Sequence, residues 1–336
     1  MKSMSTSEFV IVPRGPFSLA RAADVIAHFP PLRHQPKTDD GTVRVGFVAD
    51  RTFQPIAVTV RTADYLGVLR VTVHGLEGSG LDLQDVRKQV ARIFSLDVDG
   101  ASFPGIAHRD PKLAPLLKEL EGLRPVCFTS PYECACWAVI SQRISTAQAA
   151  NIVRGLVEAH GPKIDAAGRT VGVFPPPAKL LEIASIQSLP AAKMDRLHGI
   201  ARAALDGRLD AAVLRALPEA EVLERLRALP GIGDFWSSGI WLRACGVADR
   251  FPDEPIAIAA LGALHGLGDH PSPAKLAELT AKYQPFGMWI AFLLRVAVGR
   301  GLLGDIAERE MAIRRSSERR PANRAASTRR RGRRAA

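Results

Sequence analysis

The sequence predicts an α+β chain. A small N-terminal antiparallel sheet domain is expected over residues 1–109, an all-helical domain over 110–313, and an arginine-rich, disordered tail over 314–336. Three observations lead there. Apolar residues alternate with period two between Phe9 and Val73, the signature of half-buried strands. From about Asp110 that alternation stops and apolar residues recur at helical spacing. The final segment holds ten arginines against one acid, Glu318, and so carries +9 of the net +11. Such a run cannot build a core.

In the N-terminal part, Phe9 to Val12 reads as a short strand, and Leu19 to His28 as an alanine-rich helix closed by Pro30 and Pro31. Thr42 to Val48 places Val43, Val45 and Phe47 on one face, and Ile56 to Val60 and Val68 to Val73 repeat the alternation. Leu81 to Phe94 turns helical, with Val86, Val90 and Ile93 in phase. Further on, Ser130-Pro131-Tyr132-Glu133 reads as a helix start, with Ser at the N-cap, Pro at N1 and Glu closing a capping box. Ser145-Thr146-Ala147-Gln148 is a second box, opening a helix that runs to His160 and stops at Gly161-Pro162. Helical patterns follow at 178–184, 191–205, 219–228, 235–244, 255–265, 273–283 and 289–298.

Composition narrows the function classes. No run of 18 apolar residues is present, so no membrane span or membrane partner is expected. Met1 to Glu8 is polar and lacks the apolar core of a signal peptide, so a cytoplasmic protein is expected. Cys127, Cys134, Cys136 and Cys245 are too few and too irregular for a disulfide framework or an iron–sulfur cluster. Residues two apart on a helix point to different faces, so Cys134 and Cys136 are not expected to share a metal. The arginine tail would bind phosphate by releasing counterions, without sequence preference.

One segment carries specific chemistry. Leu229-Pro230-Gly231-Ile232-Gly233 joins two apolar-patterned helices. Gly231 and Gly233 permit a tight turn with positive φ and a close approach to phosphate. Ile232 between the glycines is expected to plug the two-helix core, and Leu229, Gly231, Ile232 and Gly233 are the expected DNA-binding residues of the hairpin. The N–H groups at the start of the next helix then point outward at an electropositive helix end. The expected product is a sequence-neutral clamp on one DNA strand.

At these residues the chain resembles the helix-hairpin-helix DNA glycosylases, and among them the bacterial 3-methyladenine glycosylases of the inducible alkylation-repair type. The resemblance includes Ser95 to Asp99, Phe128 to Glu133 and Ile140 to Ser145, is strongest from Leu226 to Pro252, and ends at Tyr283-Gln284-Pro285-Phe286. It implies base excision from double-stranded DNA by a monomer. A damaged nucleotide is flipped out of the duplex, and a carboxylate stabilises the oxocarbenium-like transition state or orients the attacking water. An alkylated purine leaves as a cation, so aromatic walls suit it. The resemblance offers Phe235, Trp236, Trp289 and Tyr132 for the base pocket, with Phe235 and Trp289 foremost. It offers Gln142 and Arg143 for the gap left by the flipped base. No metal or organic cofactor is expected.

Four departures stand out. An ungapped alignment from the hairpin puts Pro255 on the family's catalytic Asp, so Glu254 or Asp253 takes that role after a one-residue deletion. The lysine that opens the post-hairpin helix in family members with lyase activity is Phe235 here, which argues for hydrolysis without strand cleavage. Arg143 stands where the family inserts an apolar wedge, and Gly287 where it has an arginine. Two further readings remain open: a DNA-binding protein without catalysis, and a glycosylase for another base lesion.

Overall fold

A computed structural model describes residues 7–304 apart from 39, 64–66 and 77–79. The helical domain expected over 110–313 is therefore described to residue 304, and the expected arginine tail lies outside the described residues. Among the described residues there are six strands: β1 (Ser7–Ile11), β2 (Val43–Val48), β3 (Pro55–Thr62), β4 (Leu69–His74), β5 (Lys163–Asp165) and β6 (Thr170–Gly172). The first four form an antiparallel sheet in the order β1-β4-β3-β2. Two helices accompany this sheet, α1 (Leu19–His28) and α2 (Leu83–Ile93), each capped by the side chain before it, Ser18 and Asp82.

The helical part runs α3 (Ile106–Arg109), α4 (Ala114–Glu119), α5 (Pro131–Ser141), α6 (Thr146–His160), α7 (Pro177–Leu181), α8 (Ala191–Leu205) and α9 (Ala211–Ala216). It continues as α10 (Glu219–Arg227), α11 (Asp234–Arg243), α12 (Pro255–Leu264), α13 (Pro273–Ala281) and α14 (Gly287–Gly299). Sheet and helices share one hydrophobic cluster, which runs from Ile11 through Val58 and Trp137 to Val298.

Two expectations are corrected here. The alternation in β2 predicts one solvent-facing side, yet all six of its residues are buried. The hairpin of β5 and β6 covers the other face: a Cβ built on Gly46 would stand 2.7 Å from the Val171 side chain and 2.9 Å from the Gly172 carbonyl. Arg44 completes the contact, its Nε donating to the Ala166 carbonyl. The second correction concerns Ser130-Pro131-Tyr132-Glu133. Ser130 does cap α5, accepting from the Glu133 amide at 3.1 Å. Glu133 does not return the bond to Ser130; its carboxylate is buried and accepts from the Val48 amide of the sheet instead. The box at Ser145 and Gln148 is complete.

Burial pushes the Glu133 carboxyl from 4.5 up to about 7. The unfolded chain releases this proton near 4.5 while the folded chain holds it to about 7. Folding therefore weakens as pH rises through that window, by about 3 kcal/mol at its upper end. Glu133→Gln removes the penalty. Its thermal midpoint is expected to exceed wild type at pH 8, with the difference closing by pH 5. Superimposable Tm–pH profiles would contradict this.

Candidate DNA interface and active site

The hairpin forms between α10 and α11 as expected. Leu229 and Ile232 turn inward and are 3% and 6% exposed. Pro230 lies on Gly199 of α8, where a Cβ would come within 2.6 Å of its Cγ. The two glycines play different parts in the turn. Gly231 has φ +79°, and a Cβ there would meet Arg196 Cδ at 2.9 Å. Gly233 is extended, at φ −106° and ψ −171°, and a Cβ on it would enter open space. Gly233 is the N-cap of α11, and no side chain caps that helix. The amides of its first turn therefore face outward at the positive end of the helix dipole, the arrangement that binds an anion.

A second loop stands beside the hairpin. The turn from α5 to α6 carries Gln142 and Arg143. Gln142 Nε2 donates to the Gly231 carbonyl at 2.5 Å, and Arg196 Nη1 donates to Gln142 Oε1 at 3.1 Å. Arg143 is exposed and sits at φ +59°, a left-handed conformation that non-glycine residues seldom adopt. Gln142 thus ties the turn to the hairpin, while Arg143 projects from its tip.

The carboxylate lies on the segment after α11. Glu254 is itself the N-cap of α12, with Pro255 at N1. Its Oε2 accepts from the Ala257 amide at 2.8 Å, and its Oε1 from Arg295 Nη1 of α14 at 2.7 Å. The positive end of the α12 dipole and the Arg295 guanidinium both face this carboxylate. Asp253, the other candidate, is exposed in the preceding loop. Arg250 Nε bonds Glu219 of α10 at 2.9 Å, linking this loop to the hairpin's first helix. On its other side the loop runs against α14, where the Met288 amide donates to the Ala248 carbonyl at 2.9 Å. This accounts for Gly287: a Cβ there would stand 2.7 Å from the Phe251 amide nitrogen and 2.8 Å from the Arg250 carbonyl carbon, so an arginine has no room.

The aromatic candidates separate. Phe235 is 53% exposed at the start of α11 and meets the partly buried Trp236 edge to face, with ring centres 5.4 Å apart. Trp289, the other foremost candidate, is closed off from solvent. It is 2% exposed, packed against Phe103 and Phe286, with the Arg124 guanidinium 5.0 Å from its ring centre. Tyr132 is fully buried between Phe53 and Phe174, and its hydroxyl donates to the Pro175 carbonyl at 2.9 Å. Both belong to the core rather than to an open pocket wall, because neighbouring groups already cover their rings.

Several residues near the site escaped the sequence reading. Arg243, in the last turn of α11, lies 5.3 Å from the ring centre of Phe29 and 5.0 Å from that of Phe292. Burial lowers its pKa, Arg295 pushes the same way, and Glu254 opposes them. Arg196 and Lys193 on α8 and Arg295 on α14 also went unnoticed, since their partners lie tens of residues away. The four cysteines are buried and free, and among the described residues no group of three or more His, Cys, Asp or Glu is placed to hold a metal.

Solved structures share this architecture. The 3-methyladenine DNA glycosylase from Archaeoglobus fulgidus superposes with a TM-score of 0.69 at 20% identity, covering 86% of this chain and 97% of its own. The chain has the helix-hairpin-helix DNA glycosylase fold. The Clostridium acetobutylicum 8-oxoguanine glycosylase/lyase, solved with double-stranded DNA containing cytosine opposite 8-oxoguanine, shares this glycosylase fold with a TM-score of 0.63 at 17% identity, covering 89% of this chain and 99% of its own. By sequence, the chain is 25% identical over 217 residues to the DNA-3-methyladenine glycosylase of Bacillus subtilis, covering 63% of this chain and 71% of that protein. It is 28% identical over 211 residues to a Mycobacterium tuberculosis protein named as a probable bifunctional transcriptional activator/DNA repair enzyme AlkA, covering 61% of this chain and 41% of that one. No family model matches the chain. No helix among the described residues is long and apolar enough to cross a membrane.

Proposed function

We propose that this chain is a monofunctional DNA glycosylase that removes alkylated purines of the 3-methyladenine type from double-stranded DNA. One observation carries the reading: Glu254 sits at the N-cap of α12, ion-paired with Arg295, on a loop that Arg250 ties to the hairpin helix. The hairpin amides hold a backbone phosphate. Arg143 enters the gap left by the extruded nucleotide, where a guanidinium plane can stack on the neighbouring bases, while Gln142 beside it holds the turn on the hairpin. The Glu254 side chain stabilises positive charge developing on the sugar as the glycosidic bond breaks, and Asp253 is the secondary candidate. Water then attacks the sugar, leaving an abasic site and a free base. An N-alkylated purine already carries positive charge, so it leaves without a strong acid. Phe235 and Trp236 offer it π-faces.

The first turn of α11 reads Asp234-Phe235-Trp236 and so holds no amine for a Schiff base. The protein is therefore a hydrolase without lyase activity, and it acts as a monomer in the bacterial cytoplasm with no metal or organic cofactor. A panel of duplexes tests the substrate class. Release of 3-methyladenine and 7-methylguanine is expected to exceed that of hypoxanthine and 8-oxoguanine. A preference for either neutral base would overturn the alkylated-purine assignment.

A further inference from the structure

We propose that Lys193 is a positioning residue that locks the Gln142–Arg143 turn onto the hairpin, making the two loops one rigid DNA-facing surface. This rests on the DNA-binding reading above. The last carbonyls of a helix lack intrahelical partners, and a glycine in the left-handed region is a common way to cap them. α5 has no such cap: its C-cap is Gln142, at φ −60° and ψ 127°. Lys193, from the first turn of α8, takes over. Its side chain is buried, and Nζ donates to the Ile140 carbonyl at 2.7 Å and the Gln142 carbonyl at 2.6 Å.

A buried ammonium is tolerated only when its protons find acceptors. Here it also sits at the negative end of a helix dipole. The position nevertheless has an electrostatic cost: burial, with Arg196 and Arg143 as neighbouring cations, lowers its pKa. A mere packing role would be served by an apolar side chain without that cost. Lys193 grips the backbone immediately before Arg143, the residue held at φ +59°. It therefore fixes the direction in which Arg143 leaves the turn.

Arg196 lies three residues along the same helix and so on the same side. It holds Gln142 Oε1, while Gln142 Nε2 holds the Gly231 carbonyl. One face of α8 thus binds the turn through its backbone and its side chain, and the turn binds the hairpin. On DNA, phosphate capture by the hairpin would set the height of Arg143 against the base stack.

The test uses the full chain with Lys193→Met and Lys193→Arg. A duplex with 2-aminopurine beside the lesion reports helix opening, a single-turnover assay reports excision, and an undamaged duplex reports hairpin binding. Lys193→Met is expected to bind undamaged duplex within about twofold of wild type, the scale of a remote substitution. Its opening amplitude and excision rate are expected to fall about tenfold or more, as when a positioning group moves by an ångström. Lys193→Arg is expected to restore most of both. Opening and excision within about twofold of wild type, or a loss of undamaged-duplex binding as large as the loss of excision, would overturn the proposal. If Lys193→Met does not fold, Arg196→Met removes the other hold of α8 on the turn, at the Gln142 side chain, and is expected to give the same pattern; wild-type opening in that variant overturns the proposal equally. Wild-type protein that neither binds duplex nor opens it would instead refute the glycosylase reading itself.

Discussion

Glu254→Gln is expected to lower the single-turnover rate of base release by two orders of magnitude or more, the scale seen when a preorganised electrostatic group is removed from a transition state. Binding should survive, because the amide can still reach the Ala257 N–H through its carbonyl oxygen. The fold should survive for the same reason, with loss limited to the ion pair with Arg295 and part of the cap. Losing an N-cap side chain typically costs about 1 kcal/mol. The expected pattern is a fall in kcat with little change in affinity for duplex, as befits an interaction made mainly in the transition state. Asp253→Asn, changing an exposed loop side chain, is expected to leave the rate near wild type. If Asp253→Asn removed activity and Glu254→Gln did not, the two assignments would exchange.

The hairpin glycines give the second large effect, and they separate fold from function. Gly231→Ala places a Cβ 2.9 Å from Arg196 Cδ at φ +79°, and the left-handed conformation alone costs about 1–2 kcal/mol. Its thermal midpoint should fall. Gly233→Ala meets open space at an extended φ, so its midpoint should hold. Its methyl instead stands where the phosphate would approach the first amides of α11. Loss of one hydrogen bond to a charged group, about 1.5–3 kcal/mol, translates into at least tenfold weaker DNA binding. Salt-dependent binding and calorimetry on the two variants check the contrast. Equal effects of both substitutions on stability and on affinity would contradict it.

What the sequence made legible follows from distance along the chain. The caps at Ser130 and Ser145, the hairpin plug at Ile232 and the proline opening α12 are local signals, each complete within a few residues, and all form. Glu133 looked like part of a local box, but its partner is the Val48 amide, 85 residues earlier, and burial wins over the short-range bond. β5 and β6 have three residues each, too few for an alternation to register, so the cover over β2 was invisible. Trp289 and Tyr132 share their residue type with pocket aromatics, and only the packing of Phe103, Arg124, Phe53 and Phe174 around them assigns them to the core. The Arg295 contact to Glu254 spans 41 residues, and the Lys193 contacts to α5 span more than 50; no spacing rule reaches so far.

The most direct measurement is a single-turnover assay on a duplex carrying one 7-methylguanine, analysed for free base and for strand integrity. Wild-type protein is predicted to release the base and leave an abasic strand that breaks only on alkaline treatment, while Glu254→Gln binds the duplex and releases nothing above background. Strand cleavage without alkali, or equal release by the two proteins, would contradict the account.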